Sequence, residues 1–452
     1  MGGWIITKLL KRGEDFHNIR LLDLNPPTSH HPVVQDSLTK GAQFFKVDVT
    51  DPVALQTAFA APWPDASSSS SETASEITVF HTAANIRFYE RHLSFLDRSS
   101  KINVQGTKNV VSAAKFIGAT VLIYTSSGSV GLKNTRFLLW PWEKEPKMFL
   151  QVLNDGDADK PAAPRRHEDF FSNYAASKMK AETFVRASDK EATSSSTGSK
   201  TLLRTGCVRP GNGVFGPGGD QLCGAYLMRQ NNPSWISTVL QSLSYVENCA
   251  VAHLLYEQRL IELLKPESKY PDIGGQAFYI TDPGPTHTNG DIYNVLETLS
   301  EGECHFPSLS PTAMLLLAHG IEFYYRLQQS TRWNWLLPKV SGDLINLQPS
   351  LFSLTCVHLV FDDSRARLSP EKGGLGYVGA WTTTEGLHKT YQEYKNGLGR
   401  SRVKSDLAGV GLNFNCRRKK KVKKSMVGSL KIQDKVVGQS VAVSPVEIIN
   451  AE

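Results

Sequence analysis

Tyr174-Ala175-Ala176-Ser177-Lys178 sets a phenol and an ammonium four residues apart. On a helix, side chains at that spacing share a face. A free phenol titrates near pH ~10, and a cation held beside it favours the phenolate, so the pair describes a proton acceptor that works closer to neutral pH. Alone, the spacing is common on exposed helices. A second group lies upstream, where the apolar run Val121-Leu122-Ile123-Tyr124 ends in Thr125-Ser126-Ser127-Gly128. Ligands of open α/β sheets sit beyond the carboxyl ends of the strands, where Ser127 could hold a substrate oxygen. The plainer use of Thr125 to Ser127 is to cap the next turn. A third group is Asp23, closing Arg20-Leu21-Leu22-Asp23. An acid there accepts both hydroxyls of an adenine ribose and repels a 2′-phosphate. Asp48-Val49, after Phe44-Phe45-Lys46-Val47, would border the adenine, although either aspartate alone is more often a turn residue.

Groups so far apart in sequence can meet only if strands and helices alternate. The pattern predicts a helix over Trp4 to Arg12 ending at Gly13, a strand over Ile19 to Leu24, and a cap at Asp51-Pro52. A strand over Ile77 to His81, a helix over Lys101 to Ile117 closed by Gly118 and a strand over Thr120 to Tyr124 follow. A helix over Tyr174 to Arg186 and a strand over Thr201 to Val208 complete the alternation. This is the signature of an α/β fold, a Rossmann-type doubly wound parallel sheet. Residues 1–215 would form the dinucleotide-binding domain, with Ser-rich surface loops near 65–76 and 187–200. Residues 136–166, with Trp140 and Trp142, read as a partly packed excursion. Residues 216–400 would hold a smaller substrate lobe and the remaining sheet elements, and 401–452 a basic, disordered tail.

The chain has 452 residues, 40% of them apolar and 21% charged, which suits a large globular core. Its net charge of +7 comes from residues 401–452, where 11 lysines and arginines face 4 acids. The other 400 residues balance, so the body offers no electrostatic reason to expect nucleic acid. Six scattered cysteines lack the spacing of a metal site or a disulfide scaffold. With no secretory leader at Met1 to Arg12, an intracellular protein is expected, cytoplasmic or peripheral on the endoplasmic reticulum membrane. No run reaches the ~20 apolar residues of a membrane span. Leu344 to Phe361 reads as loop plus buried strand. Thr312 to Tyr325 reads as a core helix, with a membrane-interface helix as the other reading. The run Arg417 to Lys424 reads as a solvated stretch before a nuclear signal or a lipid contact.

Taken in order, these segments resemble the extended short-chain dehydrogenase/reductases and, within them, the 3β-hydroxysteroid dehydrogenase/isomerase family with its sterol-4α-carboxylate 3-dehydrogenases. Val79-Phe80-His81-Thr82-Ala83-Ala84, Asn103-Val104-Gln105-Gly106-Thr107, Arg209-Pro210, Tyr245 to His253 and Gly275 to Asp282 carry the resemblance further, over roughly residues 2 to 400. It implies NAD-dependent oxidation of a 3β-hydroxyl on a steroid or sterol. Tyr174 would take the proton, Lys178 would lower its pKa and hold the nicotinamide ribose, and Ser127 would bind the same oxygen. Ala83 and Ala84 would lie against the cofactor, Pro210 near the nicotinamide, and Asn103 would support the site or cap a helix. A homodimer is left open. The family's glycine-rich first turn is represented only by Gly2, its last glycine, so the central first strand is expected to be missing and the pyrophosphate site incomplete. The strands ending in Asp23 and His81 should then meet directly or admit a foreign strand. The alternatives are a related reductase or epimerase acting on a flavonoid or nucleotide sugar, and a catalytically silent truncated homologue.

Overall fold

The computed structural model describes residues 1–27, 31–64, 76–156, 165–194, 201–218, 220, 222–330, 335–397 and 411–413. Thr78–His81, Val121–Thr125, Arg204–Pro210 and Gln276–Ile280 lie side by side in that order as a parallel sheet. Its register puts His81 opposite Tyr124, Thr125 opposite Val208, and Pro210 opposite Ile280, so the carboxyl ends align. Val121 to Tyr124 are fully buried, as befits an apolar run covered on both faces. Alternation sends Leu122 and Tyr124 to one face, against Val110, Val111 and Ala114 of the Thr107–Phe116 helix and Ala181 and Val185 of the Asn173–Ala187 helix. Val121 and Ile123 point the other way, against Ala252, Tyr256 and Leu260 of the Val246–Glu262 helix. Helices on both faces make the sheet doubly wound.

The Gly2–Arg12 helix lies beside Val246–Glu262, joined by Lys8–Glu247 (2.7 Å) and Arg12–Glu257 (2.6 Å). It stops at Gly13, whose φ of 98° suits a residue without Cβ. Arg20–Asp23 pairs in parallel with Gln43–Lys46 as a separate two-stranded sheet. Among the described residues no strand lies between this pair and Thr78–His81, and the two sheets do not pair with each other. The expectation that the Asp23 and His81 strands would meet or admit a foreign strand is therefore corrected. Arg20–Leu22 and Thr78–Phe80 stay half-buried where Val121–Tyr124 is sealed. Water can satisfy such edges, which removes the penalty that would force them together. Leu22, Phe45 and Val79 are held instead by side-chain packing on the helices below. We expect the amides that face the gap to exchange hydrogen at least ~100-fold faster than those of Leu122–Tyr124. Equal protection of the two strands would show the gap to be closed.

A second sheet places His287–Thr288, Leu240–Gln241, His358–Phe361 and Leu150–Leu153 in that order. The excursion after residue 136 thus supplies a strand, Leu150–Leu153, to this second sheet. Its tryptophans are not packed as expected: Trp140 and Trp142 are exposed and stack on each other at 5.4 Å, while Phe137 makes the inward contact, 6.1 Å from Phe352. The Pro311–Gln329 helix buries Leu315, Ala318, Ile321 and Tyr325 and exposes Leu316, Leu317 and Phe323. The core-helix reading describes only its inner face. No helix among the described residues is long and apolar enough to cross a membrane. Leu344 to Phe361 contains, besides the strand His358–Phe361, a short helix, Pro349–Thr355, started by its proline. Gly411–Asn413 pairs with Lys339–Ser341, so the expectation of an unstructured tail gives way at those three residues. Arg417 to Lys424 and most of the Ser-rich loops lie outside the described residues.

Candidate active site

Ser127 lies just past the Val121–Thr125 strand, extended at φ −159°, and its hydroxyl caps the turn Gly128–Val130 by accepting from the Ser129 amide at 3.3 Å. The capping use and the site use coincide in one residue. Gly128 lets this loop close on the end of the neighbouring strand, because a Cβ there would lie 2.7 Å from the Pro210 carbonyl oxygen. The Asn173–Ala187 helix starts at Ser172, whose side chain accepts from the Ala175 amide, and the Asn173 amide donates to the Glu90 carbonyl at 2.8 Å. That start fixes Tyr174 in the first turn. The Ser127 hydroxyl lies near enough to the Tyr174 phenol to pull its pKa down, so two residues 47 apart come together at the sheet's carboxyl edge.

Lys178 is buried one turn on. Its Nζ donates to the Thr125 carbonyl at 2.6 Å and sits 4.1 Å from the centre of the Tyr124 ring. Burial lowers its pKa to about 7, against the pull of Glu182 and Cys207. Burial also raises the Tyr174 phenol, with the Ser127 hydrogen bond acting in the opposite direction. The ammonium is committed to the strand end, and desolvation dominates at the phenol.

Asn103 lies within a π-helical segment, Lys101–Gly106, between the helices Leu96–Ser100 and Thr107–Phe116. Its Nδ2 donates to Ser177 Oγ (2.9 Å) and to the Asn85 carbonyl (3.1 Å), and its Oδ1 accepts from the Asn85 amide (2.7 Å). It caps nothing; it ties the loop after the Thr78–His81 strand to the helix of Tyr174. Single π-turns are frequent at functional sites. Ala83 and Ala84 occupy that loop.

Farther along the sheet edge, Asp23 accepts from the Asn25 amide (3.2 Å) and is exposed. Asp48 accepts from the Thr50 amide (2.8 Å), and Val49 packs so closely on Gly106 that a Cβ there would lie 2.7 Å away. Gly2 opens the Gly2–Arg12 helix beside Thr82, and no side chain caps that end. The residues present would fit a dinucleotide at both ends, Asp23 suiting an adenine ribose and Lys178, Ser127 and Pro210 a reacting ring. The first-turn amides of the Gly2–Arg12 helix would suit a diphosphate.

Sequence reasoning missed a buried layer beneath Tyr174 and Lys178. Glu182 accepts a hydrogen bond from Ser126 and is gripped by the Nε and Nη2 atoms of Arg209, whose Nη1 lies 3.5 Å from Asp155. Glu182 stands four residues past Lys178, so the helix spacing was available as a signal. Arg209 entered the sequence reading only through Arg209-Pro210, and Asp155 not at all, because their contact is purely tertiary. A polar cleft of about 230 Å³, lined by Ser242, Asp282, His287, Phe361 and Arg367 among others, contains neither Ser127, Tyr174 nor Lys178. Asp282, its most perturbed acid, is raised by burial to about 6 and holds the Tyr245 amide, Asn248 and Thr383.

The fold recurs in solved structures. UDP-glucose 4-epimerase of Thermotoga maritima is 15% identical at a TM-score of 0.53, covering 88% of this chain and 96% of that one. A UDP-glucuronic acid 4-epimerase of Bacillus cereus gives 15% and 0.51, covering 88% and 96%. Among sequence relatives, a 3beta-hydroxysteroid-dehydrogenase/decarboxylase of Arabidopsis thaliana is 26% identical over 86% of this chain and 60% of its own length. A decarboxylating sterol-4-alpha-carboxylate 3-dehydrogenase of Candida albicans is 31% identical over 41% and 45%. The chain thus spans about half to three fifths of the length of these relatives. Residues 1–303, which contain every group assembled at the sheet edge, match the profile of one family. The chain belongs to the 3-beta hydroxysteroid dehydrogenase/isomerase family.

Proposed function

We propose that this chain oxidises the 3β-hydroxyl of a steroid or sterol with NAD. The observation that supports the reading is the placement of Ser127 at the carboxyl edge of the sheet beside the helix turn that carries Tyr174, with Lys178 one turn on and bound to the Thr125 carbonyl. NAD, when bound, supplies the hydride acceptor. Tyr174 removes the hydroxyl proton as the carbon–hydrogen bond breaks, so its Oη needs the proton-accepting form. Ser127 holds the substrate oxygen and the phenol on one hydrogen-bonded line. The Lys178 ammonium stabilises negative charge developing on that line, and its tie to the Thr125 carbonyl keeps it there without reorganisation. A sterol is the substrate class supported by the names of the sequence relatives.

Asp23 sets the cofactor preference. Its exposed carboxylate would accept the adenine ribose hydroxyls of NAD and would face the 2′-phosphate of NADP, and no arginine follows in Leu24-Asn25-Pro26-Pro27. Steady-state oxidation of a 3β-hydroxysterol should give kcat/KM at least ~10-fold higher with NAD, a difference worth about 1.4 kcal/mol. Asp23→Asn should narrow it. A higher value with NADP overturns this assignment, and no turnover with either cofactor favours the silent homologue.

A further inference from the structure

We propose that Glu182 is a positioning residue for the site, locking the strand end that carries Ser127 to the helix that carries Tyr174 and Lys178. The inference rests on the dehydrogenase reading above. Tyr174, Lys178 and Glu182 recur every four residues on Asn173–Ala187, so all three face the same strand ends. Ser126, the residue before Ser127, donates its hydroxyl to Glu182 Oε2 and its amide to the Val208 carbonyl at 2.7 Å. Arg209, one residue past Val208, grips both oxygens of the same carboxylate, its Nε lying 3.1 and 3.2 Å from them. Glu182 and Arg209 are both buried. One carboxylate thus cross-links the helix to the ends of two adjacent strands, and the Ser127–Tyr174 separation follows from that link.

The same carboxylate acts on the ammonium without touching it. The groups around Lys178 are Tyr174 and Glu182 on its own helix, Tyr124 and Cys207 on the two strands below, and His81 on the third. Burial pushes the Tyr124 phenol and the Cys207 thiol well above their usual values and drops His81 to about 3, which leaves all three neutral. Glu182 is then the charge that opposes the desolvation of Lys178. Removing it leaves the two guanidinium groups that pair with it, Arg209 and Arg186, as charges of the wrong sign.

The test uses full-length Glu182→Gln, Ser126→Ala and Ser126→Thr. The first readout needs no turnover: titration of Lys178 by NMR in ¹³Cε-lysine-labelled protein, assigned with Lys178→Met. Glu182→Gln should lower its midpoint by about one pH unit or more, which is the tenfold change in proton affinity of one pKa unit. Ser126→Ala should leave that midpoint in place while lowering kcat at least ~10-fold with the KM for NAD within twofold, and Ser126→Thr should restore most of kcat. An unchanged Lys178 midpoint in folded Glu182→Gln, or a kcat within twofold of wild type in Ser126→Ala, overturns the proposal. Should Glu182→Gln fail to fold because Arg209 loses its partner, the two Ser126 variants decide. Failure of the wild-type chain to oxidise sterols would count against the dehydrogenase reading and leave the titration standing.

Discussion

Tyr174→Phe will lower kcat by about 10²–10⁴-fold, the range lost when a positioned general base is removed. The substitution deletes one oxygen near the Ser127 hydroxyl, and Ser127 keeps Ser129 as a hydrogen-bonded neighbour at 2.8 Å. The helix start depends on Ser172 and the Glu90 carbonyl, which the change leaves alone. The variant should therefore melt within a few degrees of wild type, and the loss should fall on kcat rather than on the KM for NAD. The pH profile gives an independent check. Burial holds the phenol above its usual value, so little phenolate is present near neutrality, and wild-type alcohol oxidation should climb with pH up to the Lys178 midpoint of about 7, above which loss of the ammonium opposes the gain in phenolate. The residual rate of Tyr174→Phe should lack that climb. A variant that keeps most of kcat, or the same climb, would remove Tyr174 from the mechanism.

Lys178→Met should be comparably inactive, and it carries a stability signature of its own. The native pKa is lowered from 10.5 to about 7 by burial. Between those values the unfolded chain binds the proton and the native chain does not, so wild-type stability rises with pH across that window. The slope approaches about 1.4 kcal/mol per pH unit, the free energy of one unit of pKa. Below pH ~7 both states are charged and the contribution is flat. Methionine has no such proton, so the wild-type advantage in Tm over Lys178→Met should grow from pH 7 towards pH 10. At neutral pH two effects oppose each other in the variant: the Thr125 carbonyl loses its 2.6 Å donor, at about 1–3 kcal/mol, and a buried charge disappears. A Tm difference that is constant over this range would show that Lys178 is not titrating in its buried place.

The exposed face of the Pro311–Gln329 helix shows where reading a sequence by composition stops. Leu316 and Phe323 are as apolar as Leu315 and Ile321, and the 3.6-residue period alone cannot say which stripe meets protein. Trp140 and Trp142 make the same point: large aromatics suggest packing, yet Phe137 makes the inward contact.

What the sequence determined by itself is local. The Tyr174–Lys178–Glu182 face follows from helical spacing, the Asp51 cap from its carboxylate, which accepts from the Val53 and Ala54 amides, and the Val121–Tyr124 strand from an unbroken apolar run. These features depend on dihedral preferences and on hydrogen bonds a few residues long, which composition and order encode directly. The tertiary structure alone decided that Ser127 comes near the Tyr174 phenol, that Asn103 binds Asn85 and Ser177, and that Glu182 pairs with Arg209. It also left the Asp23 and His81 strands apart and set the Lys178 Nζ on the Thr125 carbonyl. Those outcomes turn on which buried polar groups find partners and which edges reach water. That balance of desolvation against pairing is struck between residues distant in the chain, and no spacing records it.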